Sequence, residues 1–438
     1  MLQAVANAFK IPDLRRRILF TLAMLATFRF IASIPVPGVD RDGLRDFVQN
    51  NELLGMLNLF SGSGLQYFSI AALGVYPYIT ASIIMQLMTP IIPKLTELSA
   101  EGQGGRNKIN QYTHWLTVPL ALLQGYGQAV LFSRQPSPNG GTLLDGFGIF
   151  DRDTVVPTLA ILASMTAGTM LLVWIGELIT ENGIGNGISV LIFGGIVASL
   201  PSAIGTLVTG STLTRNIMGT VLFALIGLIT IVGIVLINEG QRRIPVHHAK
   251  RIRGNRSYGG NTTHIPLKVN SAGMIPLIFA VSIMVFPGMI AQFLAGSNSE
   301  GVRDVANGVA RFLSPNTLQY NLIYFFMVVG FTYFYTMVIF QQQKIPENLQ
   351  RQGAFIPGVR PGRNTQIYLQ RVLNRITLIG ALFLGTVAIL PFIAAQITGV
   401  NTLLLSATSL LIVVGVAIDT MRQLEAQLMM RNYEGFIR

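Results

Sequence analysis

A chain of 438 residues with 51% hydrophobic and only 11% charged residues, at a mean hydropathy of +0.54, carries more apolar surface than a water-soluble core needs. Cysteine is absent, which excludes a disulfide framework and thiolate chemistry. The net charge of +12 would fit nucleic acid in a soluble chain, but in a membrane chain Lys and Arg first report topology.

Residues 1–17 read as a short amphipathic helix (Leu2, Val5, Ala6, Phe9) that ends in Arg15, Arg16 and Arg17. The first apolar run is followed by Pro35-Val36-Pro37-Gly38 rather than a small-residue cleavage site, so it is expected to be retained as a span. Apolar length predicts ten spans, near 18–34, 74–92, 115–133, 155–176, 184–200, 217–237, 272–294, 319–340, 376–397 and 402–418.

One stretch breaks this pattern. Leu53 to Phe60 is eight residues, which as a helix rises about 12 Å and cannot cross a hydrocarbon core of about 30 Å. Ser61-Gly62-Ser63-Gly64 then makes a flexible break. The run from Leu65 leads into 75–88, which is long enough to span and carries Pro77 in its first turn, where a missing N–H costs little. Irregular backbone at membrane depth survives only inside protein or beside a water-filled cavity, so a pore with a small movable element is one reading. An amphipathic segment lying flat on the outer surface is the other, and the residues leave the two level.

Further along, Gly183, Gly185 and Gly187 open the fifth span, allowing a tight turn, close helix packing at a central seam, or both. Two loops are long and basic. The first, 239–271, holds Arg242, Arg243, Arg251 and Arg256 and reads as a protruding hairpin. The second, 341–371, has a Pro- and Gly-stiffened tip at 353–362 that presents Arg360. Stiff loops this long exceed the usual connection, so docking of a cytoplasmic partner, an acidic protein or structured RNA, is expected there beyond any topological role.

Of the 31 Lys and Arg, 23 fall on the side of the N-terminus and the two long loops, seven on the other, and Arg29 alone inside a span, which places both termini in the cytoplasm. Five spans on either side of the loop 201–216 make two halves, 1–200 and 217–435, that enter the membrane from opposite sides, the arrangement of an inverted repeat. The fold expected is therefore an all-α integral membrane protein, ten transmembrane helices as two inverted five-helix halves around a central pore. Apart from Arg29 no ionisable residue lies in an expected span, which weighs against an ion-coupled transporter and against a membrane-embedded enzyme. There is no P-loop motif and no Cys or carboxylate beside His247, His248 and His264. No catalytic site, metal or cofactor is expected, and any driving force comes from outside.

Nine fragments in order complete the picture: 34–38, Asn58-Leu59-Phe60-Ser61-Gly62, Gly74-Val75-Tyr76-Pro77-Tyr78-Ile79, Glu101-Gly102 with Gly105-Arg106, Gly183-Ile184-Gly185-Asn186-Gly187, Gly240-Gln241-Arg242-Arg243, 266–270, Gly358-Val359-Arg360-Pro361-Gly362 and 409–414. From about residue 10 onward the chain resembles the SecY family, the large subunits of the Sec protein-conducting channel. The resemblance implies a plug over about 53–69, including Leu57, Asn58, Leu59, Phe60, Ser61 and Gly62. It implies a pore ring of Val75, Ile79, Ile188, Ile192, Ile278 and Ile412, and a lateral gate lined by Thr80, Gln124 and Phe286. Implied partners are SecE, often SecG, the motor SecA or the ribosome at the basic loops, preproteins with their signal sequences, and membrane lipid. The implied location is a cell membrane, inner or plasma, crossed many times. One departure stands at the hairpin tip, where Asn255-Arg256 replaces the two adjacent arginines common in the family.

Overall fold

In a bilayer each backbone N–H and C=O needs a partner within the chain, and the apolar runs meet that need as helices. The computed structural model describes residues 9, 11–36, 39–50, 54, 58, 61–62, 64–133, 135, 142–144, 147–148, 152–209, 217–248, 251–253, 256–258, 262–295, 300–315, 317–343, 345–398 and 407–434. The helices in chain order are α1 (Pro12–Ser33), α2 (Arg41–Asn50), α3 (Tyr76–Met88), α4 (Pro93–Ala100), α5 (Gln103–Ser133), α6 (Arg152–Asn182), α7 (Gly187–Thr209) and α8 (Ile217–Glu239), then α9 (Ile275–Ala295), α10 (Glu300–Phe312), α11 (Leu318–Gln343), α12 (Ile345–Arg351), α13 (Arg363–Thr398) and α14 (Ala407–Glu434). Each of the ten expected spans overlaps one of them.

Among the described residues five helices are long and apolar enough by themselves, at Gln103–Ser133, Thr154–Asn182, Val221–Glu239, Leu318–Arg351 and Arg363–Thr398. The pair α3 and α4, bent by 99°, makes a sixth as one broken span, and Gly187–Pro201 and Ile275–Val285 are shorter apolar stretches. Several helices outrun their apolar runs: α13 begins at Arg363 and α14 reaches Glu434, polar turns standing clear of the hydrocarbon.

Helix packing falls into two groups. In the first, α5 packs on α3 and α6, α6 on α7, and α1 on α6 and α7; in the second, α11 packs on α9 and α13, and α8 on α13 and α14. Contacts between the groups run through α9 with α3 and α5, and through α14 with α7. The glycine run between α6 and α7 lies at that second seam. A Cβ on Gly187 would sit 1.7 Å from the Gly176 carbonyl oxygen, so only glycine permits this turn. The same turn ties α1 to α14, because the Ile184 N–H donates to Thr21 Oγ1 at 3.2 Å and the Gly185 N–H to Gln423 Oε1 at 3.0 Å.

The two long loops fold together. Strands β1 (Gln241–His248) and β4 (Thr262–Lys268) pair antiparallel from Gln241–Lys268 to His247–Thr262, and β2 (Arg251–Arg253) pairs with β3 (Arg256–Tyr258) in a second, two-stranded sheet. From the second loop, β5 (Ala354–Phe355) adds to the free edge of β1. Ile244, Val246, Leu267, Phe340, Leu349, Ala354, Ile356, Leu369 and Leu373 bury a separate apolar core beneath this sheet. At its base Arg422 pairs with Glu239 at 2.8 Å and Asn270 Nδ2 donates to Asn238 Oδ1 at 2.8 Å, which joins the end of α8 to α14 and to the turn after β4.

Candidate functional site

Within the bundle one large apolar cluster contains Val75, Ile79, Ile192, Ile278 and Ile412 as buried members, with half-buried Ile188 packed against it. The six come from four helix starts: the N-cap and first turn of α3, the first two turns of α7, the first turn of α9 and the second turn of α14. Ile188 leans towards α6, since a Cβ on Gly176 would lie 2.5 Å from its Cδ1. The structure thus brings the six into one cluster together with many further apolar residues, and cluster membership by itself singles none of them out.

The start of α3 is reached by an unusual route. Contrary to the expectation that 75–88 spans by itself, α3 has 13 residues, about 20 Å of rise against about 30 Å of hydrocarbon, and it makes a span only together with α4. Residues 64–75 precede it as consecutive turns rather than as a helix, and Leu65, Phe68, Ala71, Ala72, Leu73 and Val75 are all buried. Leu54 and Asn58 are helical, while Leu57, Leu59 and Phe60 lie outside the described residues. Local hydrogen bonds close the turns: Asn58 Oδ1 accepts from the Gln66 N–H at 3.0 Å, and Ser61 Oγ accepts from the Leu65 N–H at 3.0 Å.

The segment hangs on α1. Arg29 Nη1 donates to the Gly62 carbonyl at 2.5 Å. Gly62 has φ +63, and a Cβ there would meet Phe28 Cζ at 2.5 Å and the Gly195 Cα at 3.2 Å, so glycine is required by both torsion and space. Beyond the end of α1 the Val36 N–H donates to the Phe68 carbonyl at 2.9 Å, and the Ile70 N–H to the Ile34 carbonyl at 3.0 Å. Phe68, at φ +41, is wedged edge-on against Phe132 of α5 with ring centroids 5.3 Å apart. Arg29, the one charged residue expected within a span, therefore has a specific partner; its isolation in apolar sequence marked it, but the Gly62 carbonyl was not foreseeable.

At the seam between the groups the Tyr76 hydroxyl donates across from α3 to the Ser282 carbonyl of α9 at 3.1 Å. Thr80 is half-buried and donates to the Tyr76 carbonyl of its own helix at 3.0 Å. Gln124 and Gln128, one turn apart on α5, are 5% and 3% exposed, and the Oε1 of each is buried without a hydrogen-bond partner among the described residues. Phe286 lies on α9, its side chain outside the described residues. Beyond the expected residues, Tyr76 and Ser282 join α3 to α9, and Gln128 is a second buried glutamine one turn from Gln124.

On the hairpin face Arg242, Arg243 and Arg360 are exposed. Arg251 and Arg256 belong to the paired strands β2 and β3, where Arg253 stands opposite Arg256; the side chains of these strands lie outside the described residues. The two basic loops present one platform rather than two arms, a union carried by the β1–β5 pairing and the shared core.

The SecY family model matches residues 69–421. Protein translocase subunit SecY of Streptomyces scabiei is 43% identical over 449 residues, with 100% of both chains covered. Among solved structures, one described as a SecY protein whose plug domain stabilises the closed state of the translocation channel has a TM-score of 0.60 at 19% identity, covering 96% of each chain. A second, Sec61 in a canine ribosome–channel complex from the endoplasmic reticulum, has a TM-score of 0.57 at 15% identity and the same coverage of 96% of each chain. At those identities the two structures speak to the fold alone.

Proposed function

The chain belongs to the SecY family, and from that premise we propose that it is the channel subunit of a protein translocase, passing unfolded secretory proteins across the membrane and releasing apolar segments sideways into lipid. The observation that carries this reading is the burial of the Ser61–Gly62 turn and of Leu65, Phe68, Ser69 and 71–75 inside the bundle, with Tyr67 exposed, beside the cluster that holds the six branched aliphatic residues. A collar of Val75, Ile79, Ile188, Ile192, Ile278 and Ile412 excludes water and ions by dewetting, and it offers no hydrogen bonds that would hold a passing chain. The buried segment is the plug that shuts this collar, and the seam of α3 and α5 against α9 is the lateral gate.

The chain acts as a conduit and not as a catalyst. An apolar segment of about 20 residues gains roughly 6–12 kcal/mol at mid-bilayer from about 0.3–0.6 kcal/mol per Leu- or Ile-like residue, so it leaves sideways unaided. A hydrophilic chain has no such gain and is pushed by SecA or by the ribosome, docked on the basic platform of Arg242, Arg243, Arg251, Arg256 and Arg360. SecE and SecG complete the complex. The protein crosses the cell membrane many times with both termini in the cytoplasm, as the 23 Lys and Arg on the hairpin side favour, and its halves 1–200 and 217–435 clasp the pore between them.

Removing residues 53–69 is expected to leave the reconstituted channel leaky to ions in planar bilayers. Conductance equal to that of the intact protein would overturn the plug assignment.

A further inference from the structure

α10 stands between two membrane helices on the face opposite the hairpin. Its 13 residues rise about 20 Å, too short to span. Its sequence separates sharply around the helix axis: Val302, Val305, Val309 and Phe312 share one side, and Glu300, Arg303, Asp304 and Arg311 the other. Those four apolar side chains remain 41%, 69%, 39% and 49% exposed, whereas Ala306 is buried where α10 packs on α9.

We infer that the Val302, Val305, Val309 and Phe312 face of α10 rests in the headgroup layer of the bilayer leaflet on that side, tying the outer ends of α9 and α11 to the lipid surface. Position supplies the occupant. Only 296–299 separate α10 from the end of α9, a reach of at most about 18 Å from that end for five Cα–Cα steps. At the other end the linkage is tighter still, for Thr317 Oγ1 donates to the Ser314 carbonyl at 2.7 Å and Asn321 Nδ2 to the Pro315 carbonyl at 2.6 Å. α10 therefore rides on the first turn of α11. The apolar exposure continues onto both neighbours, through Ile290 and Leu294 of α9 and Leu318 and Leu322 of α11. The opposite side carries two acids and two arginines, which balance, so the attachment draws on apolar burial and not on anionic lipid. Because α9 is also one wall of the proposed lateral gate, such a float confines its outer end to movement along the leaflet.

The chain has no cysteine, so V305C, V309C and N307C each place a single nitroxide on the full protein reconstituted in phosphatidylcholine vesicles, with or without phosphatidylglycerol. Accessibility to oxygen against a water-soluble nickel chelate reads the depth of each label. The labels at 305 and 309 are expected to favour oxygen and that at 307 nickel, unchanged by the anionic lipid. Labels at 305 and 309 as open to nickel as at 307 would place the face in water. Labels closed to both reagents would place it under protein, and a preference for oxygen that needs phosphatidylglycerol would make charge the attachment; each result overturns the inference.

Discussion

At the scale of single residues, Arg29 and Gly62 carry the most information. A guanidinium inside an apolar helix is costly unless it reaches water or a polar partner, and here it meets the Gly62 carbonyl while Phe28, its neighbour, fills the space against the Gly62 Cα. A hydrogen bond to a charged group contributes about 1.5–3 kcal/mol, which is roughly ten- to hundredfold in the ratio of closed to open plug. Arg29→Met is accordingly expected to raise ion leakage from proteoliposomes towards that of the 53–69 deletion, with Arg29→Lys between them. A tight Arg29→Met channel beside a leaky deletion would mean that the contact is incidental although the plug is real. None of this was readable from composition. The six residues proposed for the pore ring were equally invisible one by one, since Ile192 and Ile278 look like any core isoleucine, and only the resemblance separated them from their neighbours.

At the scale of elements, the apolar runs were legible because lipid leaves a spanning chain few alternatives to helix. The hairpin was legible from its length, its Gly254-Asn255 break and its extended runs. Four helices were not marked: α2, α4, α10 and α12 are short, and their amphipathic patterns fall below the length on which span prediction rests. The union of the two basic loops was hidden for a different reason, because β5 is two residues long and pairs across a sequence separation of about a hundred. That union makes a separable prediction. Arg360 is exposed at the tip, whereas Ile356 is 3% exposed in the core that holds β5 to β1. Arg360→Glu is expected to impair motor- or ribosome-driven export with unchanged thermal stability, read by preprotein uptake into vesicles beside a melting curve. Ile356→Asp buries a charge in that core and is expected to lower both. Normal uptake with Arg360→Glu would remove the platform from the docking role.

At the scale of the whole molecule, a seam that serves as the proposed lateral gate must be weak enough for a passing segment to part it and strong enough to stay shut otherwise. Its described direct bond is the one from Tyr76 to the Ser282 carbonyl, worth about 0.5–1.5 kcal/mol net. In the proposed gate the buried carbonyl oxygens of Gln124 and Gln128 on α5, a helix that packs on α3, α6 and α9, are set against it. An unsatisfied buried acceptor costs about 1–3 kcal/mol, so in the proposed gate each glutamine would offset the Tyr76 bond and bring the closed seam near balance. Replacing them by apolar groups of similar length removes that cost from the closed state. Gln124→Leu with Gln128→Leu is thus expected to make the seam harder to part. In a series of test segments with increasing leucine content, the midpoint for membrane insertion should move to higher leucine number, by roughly two to five residues per glutamine at about 0.6 kcal/mol per leucine. A midpoint that stays put, or moves to fewer leucines, would show that these oxygens are satisfied in the membrane and that the gate draws its balance from elsewhere along α9.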